Sequence, residues 1–278
     1  TAVYATGPIG FTIMVFFDKA LGKVTHKWIK IGLRSSAKVA KNLIDSDTEM
    51  YLGKTEYCLS NKFKEGKAFC KANSKGKSGE IDLEVELTNL SDPSVVSIPF
   101  GDNLPLYSQK NIFSVKGYVS INGKKYEANE KSMAIIDDHK GYYPHYAHYD
   151  WLTTMGKIEE NGELKTFGFN LTRNQSINQD DFNENLIWLD KDSSPLPPVI
   201  FIHDEKDPSI WYVKDELGKV DVKFVIEDTF KIVANAGIIM MKYYLPFGKI
   251  SGKVVDVNGK EYIVDGMMGI GEDKTTKM

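Results

Sequence analysis

The segment "GEIDLEVELTN", residues 79–89, alternates apolar Ile81, Leu83, Val85 and Leu87 with polar Asp82, Glu84 and Glu86. A side-chain period of two suits a strand with one buried face, whereas a helix repeats its apolar stripe roughly every 3.6 residues. "GKVDVKFVIED", residues 218–228, alternates in the same way through Val220, Val222, Phe224 and Ile226, and "KTFGFNL", residues 165–171, follows it. Asn122-Gly123, Asn161-Gly162 and Asn258-Gly259 punctuate these runs as tight-hairpin signals, because Asn-Gly accepts positive φ at both central positions. "IGFTIMVFF", residues 9–17, reads as a buried strand. It is shorter than the about 20 residues of a membrane-spanning helix. Only "SSAKVAKNLI", residues 35–44, has a helical character, and a weak one. The expected fold class is all-β.

A longer-range pattern concerns "GYVSINGKKYEANEKSMAIIDD" from Gly117 and "GKVVDVNGKEYIVDGMMGIGED" from Gly252. Both read Gly, a β-rich run, Asn-Gly-Lys, Tyr and a second strand ending in acids. The second copy carries one extra residue before its Asn-Gly, which a bulge would absorb. Self-similarity at about half the chain length predicts two similar β-domains, residues 1–129 and 130–278. Even turn spacing in all-β domains of this size means sandwiches or barrels, and a small barrel can enclose one apolar ligand.

Composition excludes several function classes. The chain has 278 residues, enough for a large core without staples, with 42% hydrophobic and 26% charged residues and a formal net charge of -3. Lysines are scattered among acids and glycines, so no nucleic-acid-binding stripe is expected. No signal-peptide pattern precedes the first strand, although the chain begins at Thr1 rather than Met. Cys58 and Cys70 flank a candidate hairpin, where facing positions could join in a disulfide. Two reduced thiols fit better, since nothing else indicates an oxidising compartment, and the expected location is cytoplasmic. The pair lacks zinc-site spacing. No Gly-rich phosphate loop, Gly-x-Ser-x-Gly or Cys/His nucleophile pair is present.

Chemistry concentrates in "DDHKGYYPHYAHYDW", residues 137–151, with three of the five histidines. On a strand beginning after Pro144, His145 and His148 fall on opposite faces, which argues against a zinc site built from His139, His145 and His148. His148 instead shares a face with Tyr146 and Asp150, and an imidazole beside a carboxylate is a proton-transfer pair. Asp137 and Glu184 are further candidate acids, the latter flanked by amides Asn183 and Asn185 that could satisfy it. Tyr142, Tyr143, Tyr146, Tyr149, Trp151, Trp188 and Trp211 would wall an apolar pocket or serve as core. A structural role for Asp137, Glu184 and Asn170, bonding loop backbone, stays open.

"IIDDHKGYYPHYAHYDW", "GFNLT", "FNENLIWLD" and "PFGKISGKV" together resemble domain-of-unknown-function family 2804. The family pattern falls on Asp137, Gly141, Pro144, Trp151, Asn170, Glu184, Asn185, Phe247, Gly248, Ser251 and Gly252. Lys140 stands where the pattern has Arg and Tyr149 where it has Trp, which keeps charge and aromaticity but weakens any bidentate or indole-specific role. The resemblance runs from about residue 14 to the end and implies a first domain shortened at its start. It also implies two tandem lipocalin-like antiparallel β-barrels, as in the hydroxyneurosporene synthase (carotenoid hydratase) group. Function carried over by fold is analogy. The expected function is binding of a hydrophobic small molecule in or between the barrels, with or without cofactor-free, hydratase- or cyclase-like acid/base chemistry. Asp137, His148 and Glu184 would be catalytic, with Asp137 or Glu184 the acid. Lys140, Tyr143, Tyr149, Asp150, Trp151, Asn170 and Asn185 would hold the ligand, and no metal or other cofactor is expected. A carbohydrate-processing protein with paired carboxylates and a structural or interaction module are the alternatives.

Overall fold

The computed structural model describes residues 1–160, 162–235 and 240–277. Two compact units divide the chain: Thr1–Asn89 with Phe113–Ala134, and Leu90–Ile112 with Ile135–Met278. Nearly every element is a strand in antiparallel pairing. Among the described residues, helical structure is confined to 3-10 turns at Arg34–Ser36 and Phe63–Glu65.

In the first unit, β1 (Ala2–Thr6), β2 (Ile9–Asp18) and β3 (Lys23–Leu33) form one sheet. A second sheet runs through β4 (Ala37–Lys38), β5 (Ser46–Leu52), β6 (Thr55–Lys62), β7 (Lys67–Gly76) and β8 (Gly79–Asn89) to the later part of β10 (Pro105–Ile121) and to β11 (Lys124–Glu127). Met14 and Trp28 of the first sheet share a buried core with Met50, Tyr57, Cys70 and Ile81 of the second, so the alternating faces close on one another. The segment 35–44 forms no α-helix: the 3-10 turn ends at Ser36 and a short strand follows. Ala37 is buried in this core and pairs in strand with Met50, so packing overrides a weak propensity. Cys58 and Cys70 are free thiols. The β6–β7 hairpin pairs Leu59 with Cys70 and Cys58 with Lys71, which puts the sulfurs on opposite faces and removes the disulfide reading.

The second unit contains β9 (Ser94–Pro99), the early part of β10, and β12 (Met133–Gly141) from residue 135 onward. Its large curled sheet runs in the order β16 (Asp192–Pro195), β15 (Leu186–Leu189), β14 (Glu163–Arg173), β13 (Tyr146–Glu160), β21 (Glu261–Lys277), β20 (Met240–Val255), β19 (Val220–Asn235), β18 (Ile210–Lys214), β17 (Ile200–His203). Phe167 of β14 packs on Tyr262 of β21, and Val222, Phe224 and Ile250 join the same core, so the sheet wraps its apolar face inward. Around Thr166–Leu171 β14 is buried on both faces, so its alternation is not that of a half-solvated strand. Trp188 is fully buried and its indole N–H donates to the Asp92 carbonyl at 3.0 Å.

The glycines that open the two similar stretches have similar surroundings. Gly117 has φ +113 and Gly252 φ +134, and a Cβ on either would lie 2.1 Å from a carbonyl oxygen of the adjacent strand, that of Glu84 or of Asp221. Each therefore lets a long strand cross tightly over its neighbour. The hairpins beyond them differ. Asn122 and Gly123 both take positive φ in a two-residue turn, while Asn258 does not, and Val255 pairs with Glu261 across a longer loop capped by the Asp256 carboxylate. The extra residue thus lengthens the turn rather than bulging β20. The register shift here falls between Ile250 and Gly252, whose partners Met267 and Val264 leave the surplus residue on β21. Asn161 lies outside the described residues.

Candidate functional site

The site begins in an oddity of β10. "LYSQKNIFSV", residues 106–115, places four consecutive polar residues in a strand, and Ser108, Gln109, Lys110 and Asn111 are all buried. Tyr107, Gln109 and Asn111 project to one face, where Tyr107 hydrogen-bonds Gln109 and the Gln109 amide donates to Asn111 at 3.0 Å. Ser108 and Lys110 project to the other. A buried ammonium must find counter-charges, and two distant segments supply them.

The first is β12, which approaches β10 so closely that a Cβ on Gly141 would lie 2.3 Å from the Pro105 carbonyl oxygen. Its alternating Asp137 and His139 share a face. Lys110 Nζ lies 3.2 Å from Asp137 Oδ1 and 3.1 Å from His139 Nε2, and that nitrogen lies 2.9 Å from the same carboxylate oxygen. The second is the loop before β15. Glu184 Oε1 lies 2.5 Å from Lys110 Nζ, accepts from the Ser108 hydroxyl, and is 3.7 Å from His139 Nε2. Lys110 also donates to Ser108 Oγ at 2.9 Å. The loop is held by amides: Asn170, fully buried, donates to the Glu184 carbonyl at 2.9 Å and accepts from the Trp151 indole at 2.6 Å. Asn185 accepts from the Thr172 amide at 2.7 Å and donates to the Pro197 carbonyl at 3.0 Å. The neighbouring amides therefore support the backbone, and Lys110 and Ser108 satisfy the Glu184 carboxylate.

Access is graded across the cluster. The side chains of Lys110 and Glu184 are 0% and 5% exposed, those of His139 and Asp137 30% and 32%. Burial pushes Glu184 upward, but the Lys110 charge and the His139 and Lys110 hydrogen bonds outweigh it and hold it well below the usual carboxylate range. Asp137 is likewise pushed up by burial and pulled lower overall by His139 and Lys110. Burial disfavours the Lys110 charge, yet Asp137 and Glu184 raise its pKa on balance. His139 has two arrangements open, neutral Nε2 accepting from Lys110 or protonated Nε2 donating to Asp137. Burial and Lys110 favour the neutral form, but Asp137 and Glu184 prevail and push it up to about 9. At neutral pH the cluster is thus two cations against two carboxylates. Tyr143, stacked on Phe100 at 5.7 Å, brings its hydroxyl 3.4 Å from His139 Nδ1. Burial raises its pKa, so it stays a neutral phenol.

The other sequence-selected residues divide among different neighbourhoods. Tyr149 and Tyr243 both donate to Glu272, at 2.6 and 2.5 Å, and Lys274 lies over both rings. His148 and Asp150 do share a face, with His148 Nε2 3.6 Å from Asp150 Oδ2, but their partners are His203, Asp273 and Thr275 rather than Asp137 or Glu184. Lys140 is exposed at the end of β12. Sequence reading missed Lys110 and Ser108, for which the run of four consecutive polar residues at 108–111 in β10 was the available signal, and it weighed His139 only as a metal ligand.

A family model described as domain of unknown function (DUF2804) matches residues 1–278, and the chain belongs to that family. No curated protein matches the chain. Among solved structures it is similar to that of kievitone hydratase from Nectria haematococca, with a TM-score of 0.57 and 11% identity over 99% of this chain and 82% of that one. At such identity the likeness concerns the fold, all-β and lipocalin-like. No helix among the described residues is long and apolar enough to cross a membrane.

Proposed function

We propose that this member of the DUF2804 family is a hydratase-like enzyme that adds water across a polarised carbon–carbon double bond of a hydrophobic small molecule, at Lys110, Asp137, His139 and Glu184. The carrying observation is the fully buried Lys110 held between two carboxylates and an imidazole. Burying that much charge is costly to the fold, and such arrangements cluster at functional sites. The fold likeness to a hydratase is consistent with the reading as analogy.

Roles follow from protonation and access. The acid passes from Asp137 or Glu184 to His139, because both carboxyls lie below their ordinary values while His139 stays protonated to about 9. Asp137, partly exposed beside His139, is the base. It takes a proton from water as the water oxygen bonds the electron-poor carbon, and His139 delivers a proton to the other end of the polarised system. An imidazolium is too weak an acid for an isolated alkene, so the substrate class is a double bond conjugated to a carbonyl. Lys110 and Ser108 hold Glu184, whose charge keeps His139 protonated. Tyr143 presents an aromatic wall and a hydroxyl. A glycosidase needs one carboxyl held protonated, and the depressed pKa values of both weigh against that alternative.

We also read the two units as a duplicated pair of lipocalin-like domains whose later boundary falls near residue 130 and whose second member also takes in residues 90–112, a reading supported by the matching roles of Gly117 and Gly252.

The test incubates the protein with a panel of apolar enones in oxygen-18-labelled water. A product heavier by one labelled water, lost in Asp137→Asn with ligand binding and thermal stability retained, supports the reading. Binding without labelled product would leave a carrier protein. Loss of several kcal/mol of stability in Asp137→Asn would mark the cluster as structural.

A further inference from the structure

A second cluster in the same unit lies outside the proposed site. On β13, His148 and Asp150 share a face, and the β13–β21 ladder sets Asp273 directly opposite Asp150. Like charges at directly opposed positions destabilise a strand pair unless something neutralises them. His148 Nε2 lies 3.6 Å from Asp150 Oδ2, His148 Nδ1 lies 3.8 Å from Asp273 Oδ1, and one ligand atom from each of the three residues lies within 4.8 Å of the others. Asp150 Oδ1 is buried and receives no hydrogen bond, although His203 Nε2 is 3.1 Å away. A buried carboxylate oxygen held by that ion pair alone keeps acceptor capacity for a further cationic partner.

We propose that His148, Asp150 and Asp273 form a binding site for a divalent transition-metal cation, with His203 beside its fourth position. Imidazole with carboxylate is the donor set of zinc and its neighbours rather than of magnesium. Metal–ligand bonds of about 2.0–2.2 Å place tetrahedral ligand atoms about 3.3–3.6 Å apart; with His148 Nε2 as the ligating nitrogen the Asp150 distance of 3.6 Å is already at that spacing, and binding draws the three ligand atoms together from within 4.8 Å. Contacts that would hold the rings are present as well: Thr275 Oγ1 lies 3.0 Å from His148 Nδ1, and the His203 ring stacks on Trp211 at 4.5 Å and an interplanar angle of 1°. Such contacts fix ring orientation and tautomer. A cation has a route in, since His203 lines a surface groove of about 390 Å³ and the His148 side chain is 39% exposed. The competing occupants are protons: both imidazoles, and the charge of Lys242 acting on Asp273, can neutralise the pair without metal. The histidines of 137–151 do not converge by themselves among the described residues: His139 joins the Lys110 cluster, and His145 precedes β13. The carboxylate of β21 supplies what that segment lacks.

The full chain, stripped with chelator, is titrated with Zn²⁺ and separately with Mg²⁺ by calorimetry, and Co²⁺ binding is followed by its visible spectrum. One Zn²⁺ per chain is expected, with no response to Mg²⁺ and a Co²⁺ spectrum of a four-coordinate nitrogen–oxygen site. His148→Gln and Asp273→Asn should lose stoichiometric binding, and His203→Gln should weaken it by about 10–100-fold. Their partial exposure, 39%, 27% and 37%, favours folding of all three variants, which circular dichroism verifies. Absence of stoichiometric Zn²⁺ binding by the unsubstituted chain overturns the proposal, as does unchanged affinity in folded His148→Gln and Asp273→Asn.

Discussion

Replacing Lys110 by methionine isolates the central charge of the proposed site. Methionine keeps the length and apolar stem of the side chain and removes the ammonium. Glu184, 5% exposed, then loses its 2.5 Å partner and keeps only the Ser108 hydroxyl and His139 at 3.7 Å. Breaking one side of a buried ion pair costs about 3–5 kcal/mol, because the remaining charge is uncompensated. At about 2–4 °C per kcal/mol for a unit of this size, Tm should fall by roughly 6–20 °C. The double variant Lys110→Met, Glu184→Gln removes the orphaned charge and should recover most of the loss, since a neutral buried pair is often no worse than an ionic one. The assay is urea unfolding at neutral pH for the four corners of the cycle, with the m-value checked for constancy. A Lys110→Met penalty below about 1 kcal/mol, or a double variant no better than the single, would refute the charge balance on which the mechanism rests.

Three more predictions concern pH, geometry and redox state. His139 is raised from 6.5 to about 9, so its contribution is complete below about pH 6.5 and is lost as pH climbs through about 9. Urea midpoints measured across that window should fall for the unsubstituted chain and stay flatter for His139→Asn. Gly141→Ala should cost about 1–3 kcal/mol and lower turnover of any identified substrate, because the added Cβ would lie 2.3 Å from the Pro105 carbonyl oxygen and must push β12, with Asp137 and His139, off β10. Reductant should leave Tm unchanged, and thiol labelling should modify Cys58 before Cys70, which is buried.

Much of the architecture was legible locally. A period of two in residues 79–89 and 218–226 defines strands whichever partners they find. Gly117 and Gly252 stand where only a residue without Cβ can cross a neighbouring strand so closely. His148 and Asp150 on one face followed from spacing of two in an extended chain. The failures are of another kind. Residues 35–44 became strand and turn because burial of Ala37 outweighed propensity. Asn258-Gly259 entered a longer loop because the Asp256 carboxylate caps it, accepting from the Asn258 and Lys260 amides. Lys110 reads as another strand lysine until β12 and the 182–185 loop are laid against it, and Asp273 reads as another acid near the end of the chain until β21 pairs with β13. Alternation along a strand decides which side chains share a face. Which faces meet depends on pairings between residues far apart in the chain, and those are chosen by the packing of the whole core, so the strands were written in the sequence and the sites were decided by the fold.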